Sequence, residues 1–219
     1  MNYLIIIPAY NEERYILDLL TNLKTIAKGV LVVDDGSMDS TAALAKSAGA
    51  LVISQPHRGK GAALRTGFRY ALEHGYDWVI TMDSDGQHDW QDVPRFLDAM
   101  SFNGSSGDII VGSRMGKAVG MPFLRRATNK FMSGLISRLA GRSISDTQCG
   151  FRAIKAKVLE NIRLETSHYD TESELIIKSG KAGYSIKSIP IKTIYNGAPS
   201  NINKFVDTAR FIKLLCRVL

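Results

Sequence analysis

The sequence predicts an α/β domain with a mostly parallel central sheet flanked by helices, and three observations lead there. Short β-branched apolar runs alternate with helix-period segments through the first half of the chain, the pattern of successive β-α-β units. Three of those runs give out into polar loops rich in Asp, Asn and Ser, as strands do where they enter the ligand crevice of an open α/β sheet. The chain is 219 residues long, 45% hydrophobic and 22% charged, without repeat, linker or low-complexity tract, which fits one domain able to bury a core.

Taken in order, strands are expected near Tyr3–Ile7, Val30–Val33, Ala50–Ser54, Trp78–Met82 and Ile109–Gly112, with helices between them. Asn11-Glu12-Glu13 opens the first helix and Asp39-Ser40-Thr41 the second, placing capping and acidic side chains at the positive helix end. Pro94 falls in the first turn of a helix starting near Gln91, where a missing N–H costs little. After Gly112 come a basic loop and an amphipathic segment, Asn129–Leu139, carrying Phe131, Met132, Leu135, Ile136 and Leu139. A helix over Thr171–Gly180, a strand pattern around Ile186–Ile191 and a last helix over Asn203–Val218 follow.

Composition narrows the setting. Cys149 and Cys216 lie far apart without C-x-x-C spacing, so neither a disulfide framework nor a thiolate metal site is indicated and a reducing compartment is expected. The N-terminus lacks the basic and long apolar regions of a secretory signal, so a cytoplasmic location is expected. No apolar stretch reaches the roughly 20 residues that span a bilayer, so membrane contact is expected to be peripheral. The formal charge is +7, and between Asp108 and Asp146 there is no acidic residue, while Arg114, Lys117, Arg125, Arg126, Lys130, Arg138 and Arg142 all fall there. That run favours an anionic partner. Nucleic acid is not the expected one, because no helix-turn-helix, zinc-finger, RRM or KH signature accompanies the charge.

The strongest chemical signal is Trp78-Val-Ile-Thr-Met-Asp83-Ser84-Asp85-Gly-Gln87, an apolar strand ending in two carboxylates one residue apart. Two close carboxylates repel unless a cation intervenes, and such hard oxygen ligands suit Mg²⁺ or Mn²⁺ bridging to a diphosphate. A helix cap followed by a turn Asp would be the structural alternative. Polar clusters of the same kind follow the first strand, at Pro8-Ala9-Tyr10-Asn11-Glu12, and the second, at Asp34-Asp35-Gly-Ser-Met-Asp39. Three loops converging on one sheet edge describe a nucleotide pocket, in which the Tyr10 ring would cover base or ribose and an Asp would accept from base N–H groups.

In this order, Pro8-Ala-Tyr-Asn-Glu, Val33-Asp-Asp-Gly-Ser-x-Asp-x-Thr, Gly59-Lys60-Gly61, Asp83-x-Asp-x-Gln and Gly112-Ser-Arg resemble the inverting family 2 glycosyltransferases, whose fold is called GT-A. Asp146-Thr-Gln-Cys-Gly-Phe-Arg and Tyr169-Asp-Thr-Glu are similar to the branch holding dolichol-phosphate mannose synthase and bacterial polyprenyl-phosphate glycosyltransferases. The resemblance covers nearly the whole chain. It implies a nucleotide-sugar-binding half over 1–112, an acceptor half over 113–200 and an amphipathic membrane-surface helix over 201–219. It implies a donor nucleotide held by Pro8, Ala9, Tyr10, Glu12, Asp34, Asp35, Lys60, Asp83 and Ser84, with the metal, Mg²⁺ or Mn²⁺, at Asp83, Asp85 and Gln87. The acceptor, a polyprenyl phosphate, would meet Arg114, Arg126, Asn129, Gln148 and Arg152, with Asp85, Arg114 and Arg126 carrying the catalysis at the inner face of the cell membrane. Two departures stand out: His57, where relatives often show Asn, and the end at Leu219, where many relatives continue into transmembrane helices.

A phosphate acceptor is largely ionised at neutral pH and needs cationic positioning rather than a general base, and an arginine fork at Arg114 suits its geometry. A hydroxyl acceptor remains the alternative, with a base among His168, Asp170 and Glu172. A Rossmann dehydrogenase would need G-x-G-x-x-G after a strand, a spacing that Gly59-Lys-Gly61-Ala-Ala does not meet. A sugar-nucleotidyltransferase would need a Gly-rich basic loop where Pro8-Ala-Tyr-Asn-Glu stands. A silent sugar-nucleotide sensor would not require an intact Asp83, Asp85 and Gln87.

Overall fold

The computed structural model describes all residues except 102–106, 116–122, 193, 195–203 and 219, and the side chains of 123–125, 204–205, 207–209 and 218 as well lie outside what it describes. In order, the chain forms β1 (Tyr3–Ala9), α1 (Glu13–Leu23), β2 (Val30–Asp34), α2 (Thr41–Ser47), β3 (Leu51–Ser54), α3 (Lys60–Glu73) and β4 (Trp78–Thr81). A 3-10 turn (Trp90–Asp92) leads into α4 (Val93–Ser101), followed by β5 (Ile109–Ser113), α5 (Phe123–Ala140), β6 (Arg152–Lys155), α6 (Ala156–Asn161), α7 (Asp170–Lys181), β7 (Ile186–Pro190) and α8 (Lys204–Val218). The expected strands and helices are all present, shifted at their ends by a few residues.

The sheet has seven strands in the order β3-β2-β1-β4-β6-β5-β7. Helices cover both faces, so β1 and β4 are buried along their whole length, which is why they read as continuous apolar runs rather than alternating ones. One strand escaped the sequence. β6 runs antiparallel between β4 and β5, pairing Arg152 with both Thr81 and Val111. Its four residues, Arg-Ala-Ile-Lys, carry polar side chains at both ends and show no period long enough to betray a central strand.

Because β6 is reversed, its first residue lies at the same sheet edge as the last residues of β1, β2, β4 and β5. The loops 8–12, 34–39, 82–88, 114–115 and 146–151 therefore meet along one line. At the far side α5 and α8 pack on α7. Among the described residues no helix is long and apolar enough to cross a membrane. In α8, Leu214 is buried and Phe211 and Leu215 are half-buried, while Val206, Ile212 and Cys216 are exposed.

Candidate active site

Two of the loops are sewn together by short polar contacts. Asn11 sits in the left-handed region at φ 55°, where Asn is tolerated better than most residues, and its side chain accepts from Met38 N while its own N–H donates to Ser37 Oγ. Glu12 N donates to Thr41 Oγ1 and Ser40 N to the Glu13 carboxylate. These contacts fix the β1 loop against the start of α2 and leave the Tyr10 ring stacked on His57, with centroids 4.1 Å apart. His57, the position flagged as a departure, thus extends the aromatic shelf that Tyr10 begins. Ala9 is buried, its carbonyl accepting from Asp35 N, and Ser84 Oγ donates to Pro8 O at 3.0 Å, tying the β4 loop to the β1 loop.

Asp34 and Asp35 are both buried. Asp34 accepts from Ser37 N, which closes the turn after β2. Asp35 was expected to receive base N–H groups, but its oxygens already accept from Gln55 Nε2 at 2.6 Å, Arg58 N and Gly59 N at 2.7 Å, with His57 Nδ1 at 2.9 Å. A carboxylate offers about four acceptor positions, and protein donors hold them here. Asp35 therefore organises the loop 55–59 beneath the aromatic shelf.

The β4 loop is balanced differently. Asp83 Oδ1 is 2.6 Å from Lys60 Nζ, which also lies 3.1 Å from Glu172 Oε2. Burial pushes the Asp83 carboxyl up, but the Lys60 ammonium beside it, with Arg114 farther off, outweighs that and holds the group below the usual carboxylate range. Burial likewise works against the Lys60 ammonium, and Asp83 and Glu172 overcome it, keeping the lysine charged. His88 was not anticipated as part of the site. Its Nδ1 accepts from Asp83 N at 3.2 Å, and burial lowers its pKa against the pull of Asp83 and Asp85, so the ring is neutral and carries its proton on Nε2. Gly150 comes so close to Asp83 that a Cβ there would sit 2.7 Å from both carboxylate oxygens. Asp85 Oδ1 accepts from Gln87 N.

The negative potential of Asp83 and Asp85 reaches Glu12. Burial first, then Asp85, Asp83 and Asp39, raise the Glu12 pKa to about 7. Among the described residues no three Asp, Glu, His or Cys side chains converge to cage a metal by themselves. Two carboxylates at a strand end, with surplus negative potential beside them, nevertheless fit Mg²⁺ or Mn²⁺, which take one or two protein carboxylates and complete their shell with substrate phosphates and water.

On the other flank, Arg114 and Asp146 form a buried pair: Nε and Nη2 of the fork meet Oδ2 and Oδ1 at 2.7 and 3.0 Å. The expected fork for an acceptor phosphate is thus occupied, since a fully buried Asp146 needs a partner of opposite charge. Arg152 is corrected in the same way. Its guanidinium is buried and donates to the carbonyls of Cys149, Glu172 and Thr147, so it braces the loop 146–151 against α7 and cannot reach a ligand. Gln148 follows in that loop, with Nε2 on Thr147 Oγ1. Arg126 is exposed near the start of α5, one turn from half-buried Asn129. Lys117 lies outside the described residues. Burial raises the Cys149 thiol to about 12, which removes it as a nucleophile or metal ligand. Asp170 accepts from His168 N, and Glu172 is engaged by Lys60.

A family model described as Glycosyl transferase family 2 matches residues 4–163. The chain belongs to that family. It is 32% identical to the UDP-N-acetylglucosamine–dolichyl-phosphate N-acetylglucosaminyltransferase of Methanococcus voltae, covering 87% of this chain and 85% of that one. It is 31% identical to the dolichyl-phosphate hexose transferase of Haloferax volcanii over 98% of this chain and 92% of that one. It is 33% identical to the undecaprenyl-phosphate mannosyltransferase of Micrococcus luteus, over 87% and 83%. The fold matches glucosyl-3-phosphoglycerate synthase of Mycobacterium tuberculosis, solved with Mn²⁺, UDP and glucosyl-3-phosphoglycerate, at TM-score 0.73 and 20% identity over 99% of this chain and 79% of that one. This family 2 glycosyltransferase therefore has a GT-A domain, as its motifs implied.

Proposed function

We propose that this glycosyltransferase moves a sugar from a nucleoside-diphosphate donor to a polyprenyl or dolichyl phosphate, with inversion, at the cytoplasmic surface of the membrane. The observation that carries the donor side is the Asp83–Asp85 pair at the sheet edge, beside the Tyr10–His57 shelf. The acceptor class rests on three relatives of 31–33% identity, each named for a lipid phosphate acceptor.

In this mechanism 1–112 forms the donor half, 113–200 the acceptor half and 201–219 the membrane-facing helix. The Tyr10 ring, backed by His57, stacks on the base, and Asp35 keeps the loop beneath in place. Asp83, Asp85 and Gln87 would hold Mg²⁺ or Mn²⁺, which supplies Lewis-acid neutralisation of the charge developing on the leaving diphosphate. Lys60, charged and at the first turn of α3, adds a second positive group on the same side. Arg126 and Asn129, on the first turns of α5, position the acceptor phosphate near a helix N-terminus. Arg114 acts at one remove, fixing the end of β5 to the Gln148 loop. The acceptor oxygen attacks the anomeric carbon as an anion, so no side chain has to take its proton.

Membrane contact is supported by the exposed Phe131 on α5 and by Val206 and Ile212 on α8, which are 72%, 44% and 54% exposed and interleave with Lys130, Lys213 and Arg217. Apolar side chains enter the headgroup layer while each nearby cation adds roughly 1 kcal/mol on anionic lipid. Along α8, Ile212 and Cys216 are exposed, while Phe211, Leu214 and Leu215 are half-buried or buried against the protein.

The test is flotation on anionic liposomes, comparing the native chain with a Val206→Glu, Ile212→Glu variant, alongside transfer assays on a polyprenyl phosphate and on a soluble hydroxyl acceptor. We expect the native chain to float, the variant to lose flotation, and only the lipid phosphate to be glycosylated. Glycosylation of the hydroxyl acceptor without flotation would replace this function with the hydroxyl-acceptor alternative.

A further inference from the structure

Lys60 and Glu172 lie far apart in the sequence, yet the structure brings both to the carboxylate at the end of β4. Lys60 is the first residue of α3 and Glu172 the third of α7. The two helix starts are locked together: Ala62 N donates to Ser167 O at 3.0 Å, and a Cβ on Gly59, at φ 95°, would sit 2.7 Å from that same oxygen. A Cβ on Gly61 would collide with the Thr171 hydroxyl. Only glycines on both sides of Lys60 let α3 approach this closely, and the approach delivers the ammonium to a point between Asp83 and Glu172. All three side chains are largely buried, at 18%, 25% and 15% exposure.

An ammonium 2.6 Å from Asp83 Oδ1 holds one of the two oxygens that a divalent ion would use. At this depth one unit charge repels a divalent ion by several kcal/mol even at a protein dielectric near 20. With Lys60 on one oxygen of Asp83, a divalent ion on the other would stand only a few ångströms from the ammonium, so each weakens the other's hold on the carboxylate. Glu172 offers the lysine a second place to stand, without a change in the helix that carries it.

We propose that Lys60 competes with the donor-bound metal for Asp83, and that Glu172 is the positioning residue that draws Lys60 aside when metal and diphosphate arrive together. The competition keeps metal affinity low until the nucleoside diphosphate supplies ligands of its own and receives the displaced ammonium. It also joins the acceptor-side helix α7 to the donor site, since Glu172 lies in the first turn of that helix, after Asp170 and Thr171.

The inference rests on the metal assignment to Asp83, and the experiment separates the two. Mn²⁺ binding is measured by spin resonance and calorimetry, for Mn²⁺ alone and with UDP or GDP, on the native protein and on Lys60→Met, Lys60→Arg and Glu172→Gln, each checked by its melting curve. In the native protein Mn²⁺ should bind weakly alone and at least tenfold more tightly with one of the diphosphates. Lys60→Met should raise affinity for Mn²⁺ alone by at least tenfold, because two carboxylates then face the ion unopposed, and should erase most of the gain from diphosphate. Lys60→Arg, keeping the charge, should stay within threefold of native. Glu172→Gln should shift the other way, weakening Mn²⁺ binding severalfold, since Lys60 is then left to Asp83 alone. A merely structural role would weaken binding in both Lys60→Met and Glu172→Gln. Folded Lys60→Met with unchanged or weaker Mn²⁺ affinity overturns the competition, as does Glu172→Gln moving in the same direction as Lys60→Met. Native protein that binds no Mn²⁺ under any condition overturns the metal assignment itself.

Discussion

Asp35 and Asp83 each lie just beyond the end of a strand, each in an Asp-rich loop and each largely enclosed, but they are balanced by different kinds of partner. Asp35 is surrounded by two backbone N–H groups, an amide and an imidazole, all within its own flank of the sheet. Asp83 has a lysine that is shared with Glu172, a neutral histidine and a glycine pressed against it. The first set cannot leave without unfolding a loop; the second can be rearranged by moving one side chain. A carboxylate saturated by fixed donors builds architecture, whereas one balanced by a movable charge is available for chemistry.

The sharpest way to break that contrast is Asp85→Asn. Transfer should fall by at least about a hundredfold, as when a charge-stabilising group is removed at a reacting centre, while the melting temperature stays within a few degrees. Steady-state rates and calorimetric melting check this, and a variant that keeps its rate in excess EDTA would remove the metal from the mechanism.

Asp35→Asn should do the reverse. The new amide turns donors toward donors, leaving buried N–H groups unpaired at a cost of about 1–3 kcal/mol, which urea denaturation reads directly. Nucleotide affinity should fall with loop order rather than abolish outright. Unchanged stability with lost nucleotide binding would return Asp35 to the role of a base ligand.

The smallest expected effect concerns Glu12. Its folded pKa is raised to about 7 by burial and by Asp85, Asp83 and Asp39, so between the ordinary glutamate range and pH 7 the folded state binds more protons than the unfolded one. Stability is then greatest at the acid end of that window and declines as pH rises through about 7. Melting curves from pH 5 to 8 should show this slope in the native chain and a flatter one in Glu12→Gln. Identical slopes would mean that the negative potential of the β4 loop does not reach Glu12.

Much of this was legible in the sequence because parallel strands buried on both faces announce themselves as apolar runs, and because polar loops after such strands gather at one edge. The placement of the loops after β1, β2 and β4 at one edge, with Tyr10, Asp83 and Asp85 in them, followed from that. What escaped depended on pairings remote in the chain. β6 is four residues long and its partners lie on strands far upstream, so nothing local marks it. Arg114 and Arg152 looked like ligands for an anion because charge alone was visible; their partners, Asp146 and three carbonyls, come from chain reversal at β6. His88 was hidden in plain sight after Gln87, where its burial, its stacking on Phe151 and its contact with Asp83 N, none of them legible locally, distinguish it from a surface histidine.

The reversed strand also divides what can vary from what cannot. With β6 inserted beside β4, the sheet has a seam: β3-β2-β1-β4 lie on one side and β5-β7 on the other. The loops beyond β5 and β7 can change without disturbing those at the ends of β1 and β2, because the two sets are rooted in different strands. The exception is the point where the seam is narrowest, at Gly150 against Asp83. Any side chain acquired there would push the Asp83 carboxylate from its place, so a change in the loop that β6 anchors reaches the end of β4 at that one position.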